Sequence, residues 1–267
     1  MPDLTVTLVQ SDLFWEQIAA NLAVFDARLA QLNRPTDLIV LPEMFSTGFS
    51  MQAARLAEPM DGSAVRWLRA TAARRHVTIT GSLMITEHDR YFNRLIWTHP
   101  NGDTSVYDKK HLFRYAGEEK VYTPGNRRLT VTLNGWRIRP FICYDLRFPI
   151  WTRNLNQAYD MAFFVANWPA RRSAHWRALL RARAIENQAY VIGVNRVGLD
   201  GQEAYHDGYS SVIAPDGEVL FEEKNVEGLH TITLRRDLLD DYRRLFPAWM
   251  DADVDLANGP AAERITH

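Results

Sequence analysis

Met161-Ala162-Phe163-Phe164-Val165-Ala166 is a continuous apolar run of strand length, and Leu38-Ile39-Val40-Leu41 is a second. Runs of this kind lack the alternation of a half-exposed strand and suggest a sheet covered on both faces. Outward from them, strands and helices alternate. Thr5 to Gln10 reads as a short buried strand, followed by Trp15, Ile18, Ala19, Leu22, Phe25, Leu29 and Leu32, an apolar stripe at helical spacing. The strand from Asp37 to Leu41 runs into Pro42 and Glu43, and the next helix is predicted from about Ser63 to Arg75, with Asp61 or Ser63 as its cap. Val77 to Ile85, Phe92 to Thr98 and Thr104 to Tyr107 are predicted strands, the last two a hairpin turning at Pro100-Asn101-Gly102. Arg137 to Tyr144 is a further strand, Phe148 to Gln157 a short helix and His175 to Gln188 a longer one. Strands at Tyr190 to Asn195, Ser210 to Ala214, Glu218 to Phe221 and Leu229 to Ile232 complete the pattern, with a turn at Pro215-Asp216-Gly217. The expected class is α/β, with two mixed sheets sandwiched between helices.

The composition narrows the function. With 267 residues, 46% of them hydrophobic, the chain can bury one sizeable core. The 31 basic and 32 acidic residues are interleaved, which offers no surface to nucleic acid. A single cysteine rules out an internal disulfide framework and fits a reducing compartment. Met1 to Gln10 has no basic leader, and no run approaches the roughly 18 to 20 apolar residues of a membrane span. The expectation is a soluble cytoplasmic protein without membrane contact, one domain over residues 1–255 and a flexible tail over 256–267. There is no internal repeat and no Gly-rich phosphate loop.

Three reactive side chains end predicted strands: Glu43 in Leu41-Pro42-Glu43-Met44-Phe45, Lys109 in Tyr107-Asp108-Lys109-Lys110-His111-Leu112-Phe113, and Cys143 in Phe141-Ile142-Cys143-Tyr144-Asp145. Strand ends are where α/β folds build sites. Taken singly, each reads as an ordinary residue: a solvated glutamate, a surface lysine, an inert buried thiol. Taken together they make a mechanism. A thiol of ordinary pKa is only ~3% thiolate at neutral pH, so a nucleophilic cysteine needs a base or a cation beside it. Glu43 can supply the base and Lys109 the cation. The ammonium of Lys109 and the backbone N–H of Tyr144 could then hold the oxyanion that forms when sulfur attacks an amide carbon. This chemistry needs no metal and no cofactor.

The same three blocks, in this order, resemble the signature segments of the nitrilase (carbon–nitrogen hydrolase) superfamily. The resemblance covers about Leu4 to Asp253 and implies a catalytic triad of Glu43, Lys109 and Cys143, with Lys110 the unneeded neighbour. It also implies a second active-site glutamate six residues before a proline. Glu118 before Pro124 fits, although Glu119 stands next to it. The family fold is a four-layer α/β/β/α sandwich that pairs through its outer helices into an eight-layer dimer, so a homodimer or higher homo-oligomer is expected. Within the superfamily, Ala166 to Trp176, Arg183 to Tyr190 and Phe246-Pro247-Ala248-Trp249 are most similar to the omega-amidases, which release ammonia from 2-oxoglutaramate and 2-oxosuccinamate. The implied partner is a small-molecule amide.

Arg172, just before a helix start at Ser173, would suit a substrate carboxylate, with an ion pair or a plain surface role as its alternative. Trp168 and Tyr115 could wall a small pocket or belong to the core. Arg183 and Glu186, three apart, read as a structural ion pair. Arg147 reads as bracing the turn against an acid, and His111 as hydrogen-bonded behind Lys109. The eight histidines show no spacing of a metal site. Other short amides, N-carbamoyl amino acids and nitriles remain open as substrates. A metal-dependent phosphoesterase using carboxylates at Glu43 and Asp145, or a non-catalytic binding protein, are readings from other classes.

Overall fold

Leu38 and Val40 face one way and Ile39 and Leu41 the other, and all four are fully buried. The first pair packs with Val6, Leu8, Trp97, Phe141 and Phe164 between two sheets, while the second packs with Phe25, Leu29, Val65 and Leu68 under helices. This two-sided burial is what the continuous apolar runs foretold. The computed structural model describes residues 1–252, so the expected domain end near residue 255 and the tail at 256–267 lie outside the described residues.

The strands are β1 (Leu4–Gln10), β2 (Leu38–Val40), β3 (Thr78–Glu87), β4 (Arg90–Thr98), β5 (Thr104–Asp108), β6 (Val131–Leu133), β7 (Trp136–Ile142), β8 (Met161–Ala166), β9 (Tyr190–Asn195), β10 (Val197–Leu199), β11 (Tyr205–Ile213), β12 (Val219–Lys224) and β13 (Gly228–Leu234). One sheet has the order β13-β1-β2-β3-β4-β5, the other β10-β11-β9-β8-β7-β6, with β12 paired to β11. β1, β2 and β3 run parallel, as do β7, β8 and β9, and the outer strands are antiparallel. Both sheets are therefore mixed. The helices are α1 (Ile18–Ala30), α2 (Ala53–Leu56), α3 (Ser63–Arg75), α4 (Pro149–Thr152), α5 (Ser173–Asn187) and α6 (Arg236–Leu245). α1 and α3 cover the first sheet through Phe25, Leu29, Val65 and Leu68, and α5 covers the second through Trp176, Leu180 and Ala184. The result is the four-layer α/β/β/α sandwich.

Local departures from expectation have physical causes. The first N–H groups of α3 are capped by neither Asp61 nor Ser63 but by the Glu58 carboxylate, which accepts from Ser63 N at 2.8 Å and Ala64 N at 3.0 Å. The helix expected over Phe148 to Gln157 stops after α4, with only a 3-10 turn at Leu155–Gln157. There the Asn154 side chain bonds Tyr159 N, Tyr159 O and Asn187 O, taking the place of a helical ladder. The strand expected to reach Tyr144 ends at Ile142, because Cys143 opens a 3-10 helix with a left-handed φ of 43°. The hairpin turn at Gly102, with φ of 87°, and the turn at Gly217, with φ of 90°, fall where the sequence put them.

Candidate active site

Glu43, Lys109 and Cys143 follow the carboxyl ends of β2, β5 and β7 and meet at one buried centre. Glu43 and Lys109 are all but inaccessible, and the Glu43 Oε1 accepts from Lys109 Nζ at 2.8 Å. Glu118 joins them: Lys109 Nζ donates to both of its carboxylate oxygens at 3.0 Å. Glu119 instead turns outward toward Arg114 at 3.5 Å, so of the two adjacent glutamates it is Glu118 that reaches the lysine. The three ammonium donors thus have three carboxylate acceptors. Phe49 covers the ammonium, with Nζ 5.0 Å from its ring centre.

Two asparagines complete this cage, neither of them among the residues predicted to form the site. Asn93 on β4 donates to Glu43 Oε1 at 2.8 Å and to Glu118 Oε1 at 3.2 Å. Its own oxygen accepts from Ser82, which in turn accepts from Met44 N. Asn167, just past β8, donates its backbone N–H to Glu43 Oε2 at 2.8 Å and its side-chain amide to Glu43 O at 2.6 Å. Glu43 is held from two adjacent sheets at once.

Cys143 sits at the strand-to-turn junction, in a backbone conformation that costs a non-glycine residue on the order of 1 kcal/mol. Asp145 holds the turn: its Oδ2 accepts from Ile142 N at 3.1 Å and Tyr107 hydroxyl at 2.6 Å, its Oδ1 from His111 N at 3.0 Å. His111 Nδ1 is 2.8 Å from the same oxygen, and the imidazole stacks on Phe148 at 3.7 Å, which places it behind the lysine loop as expected. Arg183 pairs with Glu186 at 2.9 Å, also as expected, and adds a bond to Leu146 O at 2.8 Å that ties α5 to the nucleophile turn.

Electrostatics fit a protonated resting thiol. Burial pushes the Cys143 thiol well up, the Glu43 carboxylate beside it adds to the rise, and Lys109 opposes it only in part. Burial works against the Lys109 charge, yet the Glu118 and Glu43 carboxylates hold that ammonium well above its ordinary value. Glu118 is raised, by burial first and by Glu43, against the pull of Lys109. Two carboxylates and one ammonium leave the cage with an extra negative charge, which disfavours a resting thiolate.

The cage opens into a cavity of about 160 Å³ lined by Phe49, Phe113, Tyr115, Tyr144, Trp168 and Arg172 among others. Tyr115, Trp168 and Arg172 thus stand where the sequence reading put them; Tyr115 is 77% exposed and Trp168 buried. Tyr144, directly after the nucleophile, lies in the first turn of the 3-10 helix, where backbone N–H groups lack helical acceptors. Arg147 departs from expectation. It braces no turn against an acid; it lines the cavity and donates to His175 Nδ1 at 3.1 Å. Asp200 and Gln202, from the loop joining β10 to β11, and His206 on β11 also line the cavity, in a polar stretch without a periodic signal. Glu43 and Asp145, the carboxylates of the phosphoesterase reading, belong to separate networks, one on Lys109 and the other on His111 and Tyr107.

Residues 5–244 match the carbon-nitrogen hydrolase family model. The chain is 48% identical over 254 residues to the omega-amidase YafV of Escherichia coli (strain K12), covering 95% of this chain and 98% of that protein. It is 30% identical over 256 residues to the 2-oxoglutaramate amidase of Bacillus subtilis (strain 168), covering 94% and 98%. Among solved structures, XC1258 of Xanthomonas campestris, a CN-hydrolase superfamily protein with an arsenic adduct in its active site, superposes with a TM-score of 0.93 at 43% identity, over 95% of this chain and 98% of that one. The chain belongs to the carbon–nitrogen hydrolase family, and with it to the enzymes that hydrolyse carbon–nitrogen bonds.

Proposed function

We propose that this chain is an omega-amidase that hydrolyses the terminal amide of a short 2-oxo acid, 2-oxoglutaramate or 2-oxosuccinamate, through a thioester on Cys143. The observation that carries the reading is that Cys143 lines one cavity with Glu43 and Lys109, whose carboxylate and ammonium are 2.8 Å apart, together with Arg147, Arg171 and Arg172, none of which forms an ion pair among the described residues. Relatives named as omega-amidase and 2-oxoglutaramate amidase, matched over nearly their full length, support the substrate class.

In this mechanism Glu43 takes the thiol proton as sulfur attacks the amide carbon, because a free thiolate is disfavoured in a negative cage. The carbonyl electrons move onto oxygen, where the Tyr144 N–H is the donor at hand, worth roughly 100- to 1,000-fold in rate, and the Lys109 ammonium, its N–H groups held by Glu43 and Glu118, acts through its positive charge. The carbon–nitrogen bond then breaks while Glu43 returns its proton to nitrogen, and ammonia leaves. Glu43 next takes a proton from water as hydroxide adds to the thioester carbon, and the carbon–sulfur bond then breaks while Glu43 returns that proton to sulfur, giving the acid and the thiol. Glu118 keeps Lys109 in place and charged throughout. Phe113, Tyr115 and Trp168 would wall the substrate and Arg172 would meet its carboxylate.

The reading extends to one hydrolase domain over residues 1–255, a cytoplasmic location and a homodimer or higher homo-oligomer. Exposed Leu238 and Leu245 on α6, with Phe246 and Met250 beyond it, support pairing through the outer helices. No helix among the described residues is long and apolar enough to cross a membrane. The test of the substrate is ammonia release from 2-oxoglutaramate compared with glutamine, which differ at carbon 2 in an oxo against an amino group. A strong preference for the 2-oxo compound is expected; equal rates, or a preference for glutamine, would overturn the reading.

A further inference from the structure

Some arginines elsewhere in this chain have acids to meet, while others, Arg128, Arg139 and Arg153 among them, bond neutral oxygens. Arg183 pairs with Glu186, Arg196 with Asp12, Arg94 with Asp108 and Arg243 with Asp160. Arg147, Arg171 and Arg172 line the cavity together, and none of them forms an ion pair with a carboxylate among the described residues. Two of the three are nonetheless firmly seated. The Arg147 guanidinium lies 4.8 Å from the Trp168 ring centre and donates to His175 Nδ1, an acceptor that fixes the group without cancelling its charge. The Arg172 guanidinium lies 5.3 Å from the Phe113 ring centre and 5.9 Å from that of Tyr115. Trp168 joins the two seats: its ring carries Arg147, and its indole N–H donates to Arg172 O at 2.8 Å. The 15-residue helix α5 begins at the next residue, Ser173, with no side-chain cap and no acid in its first turn, so its positive end adds to the same field. Burial, and then the charges of Arg171 and Arg147, hold the Arg172 guanidinium below its ordinary value, the mark of cationic charge that the protein leaves uncompensated.

We propose that Arg147 and Arg172 form a two-arginine clamp for the substrate's carboxylate, with Trp168 as their common floor and His175 as the positioning residue for Arg147. The proposal rests on the omega-amidase reading and adds Arg147 to the substrate site. A carboxylate has about four lone-pair sites, enough to receive two planar guanidinium forks, and a lysine cannot reproduce that geometry. Arg171 is exposed and its guanidinium faces Tyr115 at 5.6 Å, so it strengthens the field at the mouth without belonging to the clamp.

The experiment measures kcat and KM for the full-length wild type, Arg147→Gln, Arg147→Lys, His175→Ala and His175→Gln on three amides: 2-oxoglutaramate, glutaramate, which keeps the carboxylate without the oxo group, and butyramide, which has neither. Arg147→Gln is expected to raise KM for both carboxylate-bearing amides ~10- to 100-fold, with kcat within a few-fold. The loss in kcat/KM is expected to be at least ~10-fold larger on those two than on butyramide. Arg147→Lys should restore only part of the affinity. His175→Ala should raise the same KM values by less, and His175→Gln, which keeps an acceptor, should restore them. Equal losses on all three amides, or KM unchanged in Arg147→Gln, would overturn the clamp. The wild type's own preference for 2-oxoglutaramate over glutaramate tests the omega-amidase reading separately, since the clamp concerns only the carboxylate that the two share.

Discussion

The cage around Lys109 and the cationic mouth of the cavity lie in one site yet follow opposite rules. In the cage, the three Lys109 donors, both Glu43 oxygens, both Glu118 oxygens and both polar groups of the Asn93 side chain have partners within the protein. At the mouth, Arg147, Arg171 and Arg172 line the cavity without forming an ion pair to a carboxylate among the described residues, and Tyr115 is largely exposed. A buried charge cannot be left unpaired, so the groups that move protons are fixed before substrate arrives. A group that selects substrate has to keep donors free, and it can do so only near solvent. The difference separates rate from recognition along a single cavity.

Cys143→Ala would break the cage's function most completely. Loss of the nucleophile is expected to lower kcat by a factor on the order of 10,000, read as ammonia release, with the fold intact by circular dichroism. Activity near wild type would remove the cysteine from the mechanism. Lys109→Met should instead attack the fold, because Glu43 and Glu118 would face one another without a cation. A loss of about 3–5 kcal/mol in denaturant unfolding is expected, and a fully stable variant would show that the cage does not depend on its central charge.

The mouth has its own interior test in His206, which is 2% exposed on the cavity wall. Burial first, then the positive charge of Arg196, lower its pKa from 6.5 to about 4, against the pull of Asp200. The folded chain therefore keeps this imidazole neutral where the unfolded chain takes up a proton. Its contribution to stability is whole above about 6.5 and is lost as pH falls toward 4, amounting to about 3 kcal/mol at the lower end. Comparing urea unfolding of wild type and His206→Gln between pH 7 and 4 isolates it. The wild type should lose more on acidification, and parallel curves would mean that the imidazole is charged in the fold. Gly125→Ala moves the emphasis back to the cage. A Cβ there would stand 2.1 Å from Asp108 O, and Gly125 N donates to Lys109 O at 2.9 Å, so the lysine's strand end must shift. A displacement of this order is expected to cost roughly 100-fold in kcat; an unchanged rate would show that the lysine tolerates the movement.

The same division explains what the sequence revealed. Glu43, Lys109 and Cys143 end strands in recognisable blocks, and the apolar runs of β2 and β8 showed a sheet covered on both faces. The helix α6 was not predicted, although Leu238, Tyr242 and Leu245 recur at helical spacing; its buried face is made instead by Arg236, Leu239 and Arg243, the two arginines held by Asp160 at 3.4 and 2.9 Å. β6 and β10, three residues each, are too short to show alternation. The loop between β10 and β11 reaches the cavity with Asp200 and Gln202, residues that read as ordinary turn chemistry. Asn167 follows β8 in a stretch that reads as a strand end, and its bonds to Glu43 exist only once β2 and β8, from different sheets, are brought together.

Asn93 was missed for the same reason and gives the smallest and most discriminating prediction. An asparagine inside a strand argues against the strand by propensity, yet its register opposite Met84 brings its amide between two glutamates. One N–H₂ group donating to both carboxylates sets the distance between them, and its bond to Glu118 favours the charged form of that carboxylate. Removing it in Asn93→Ala leaves the Lys109 pairs in place, so the fold should survive while the cage binds its proton more readily. The expected result is a loss in kcat of about 10-fold, with KM little changed and the acidic limb of the rate profile moved to higher pH. The limb belongs to the coupled pair of carboxylates and not to either glutamate alone. A lower kcat with an unmoved limb would leave Asn93 a packing role only; a moved limb with normal stability would make it the part of the cage that tunes when a proton is available to the leaving ammonia.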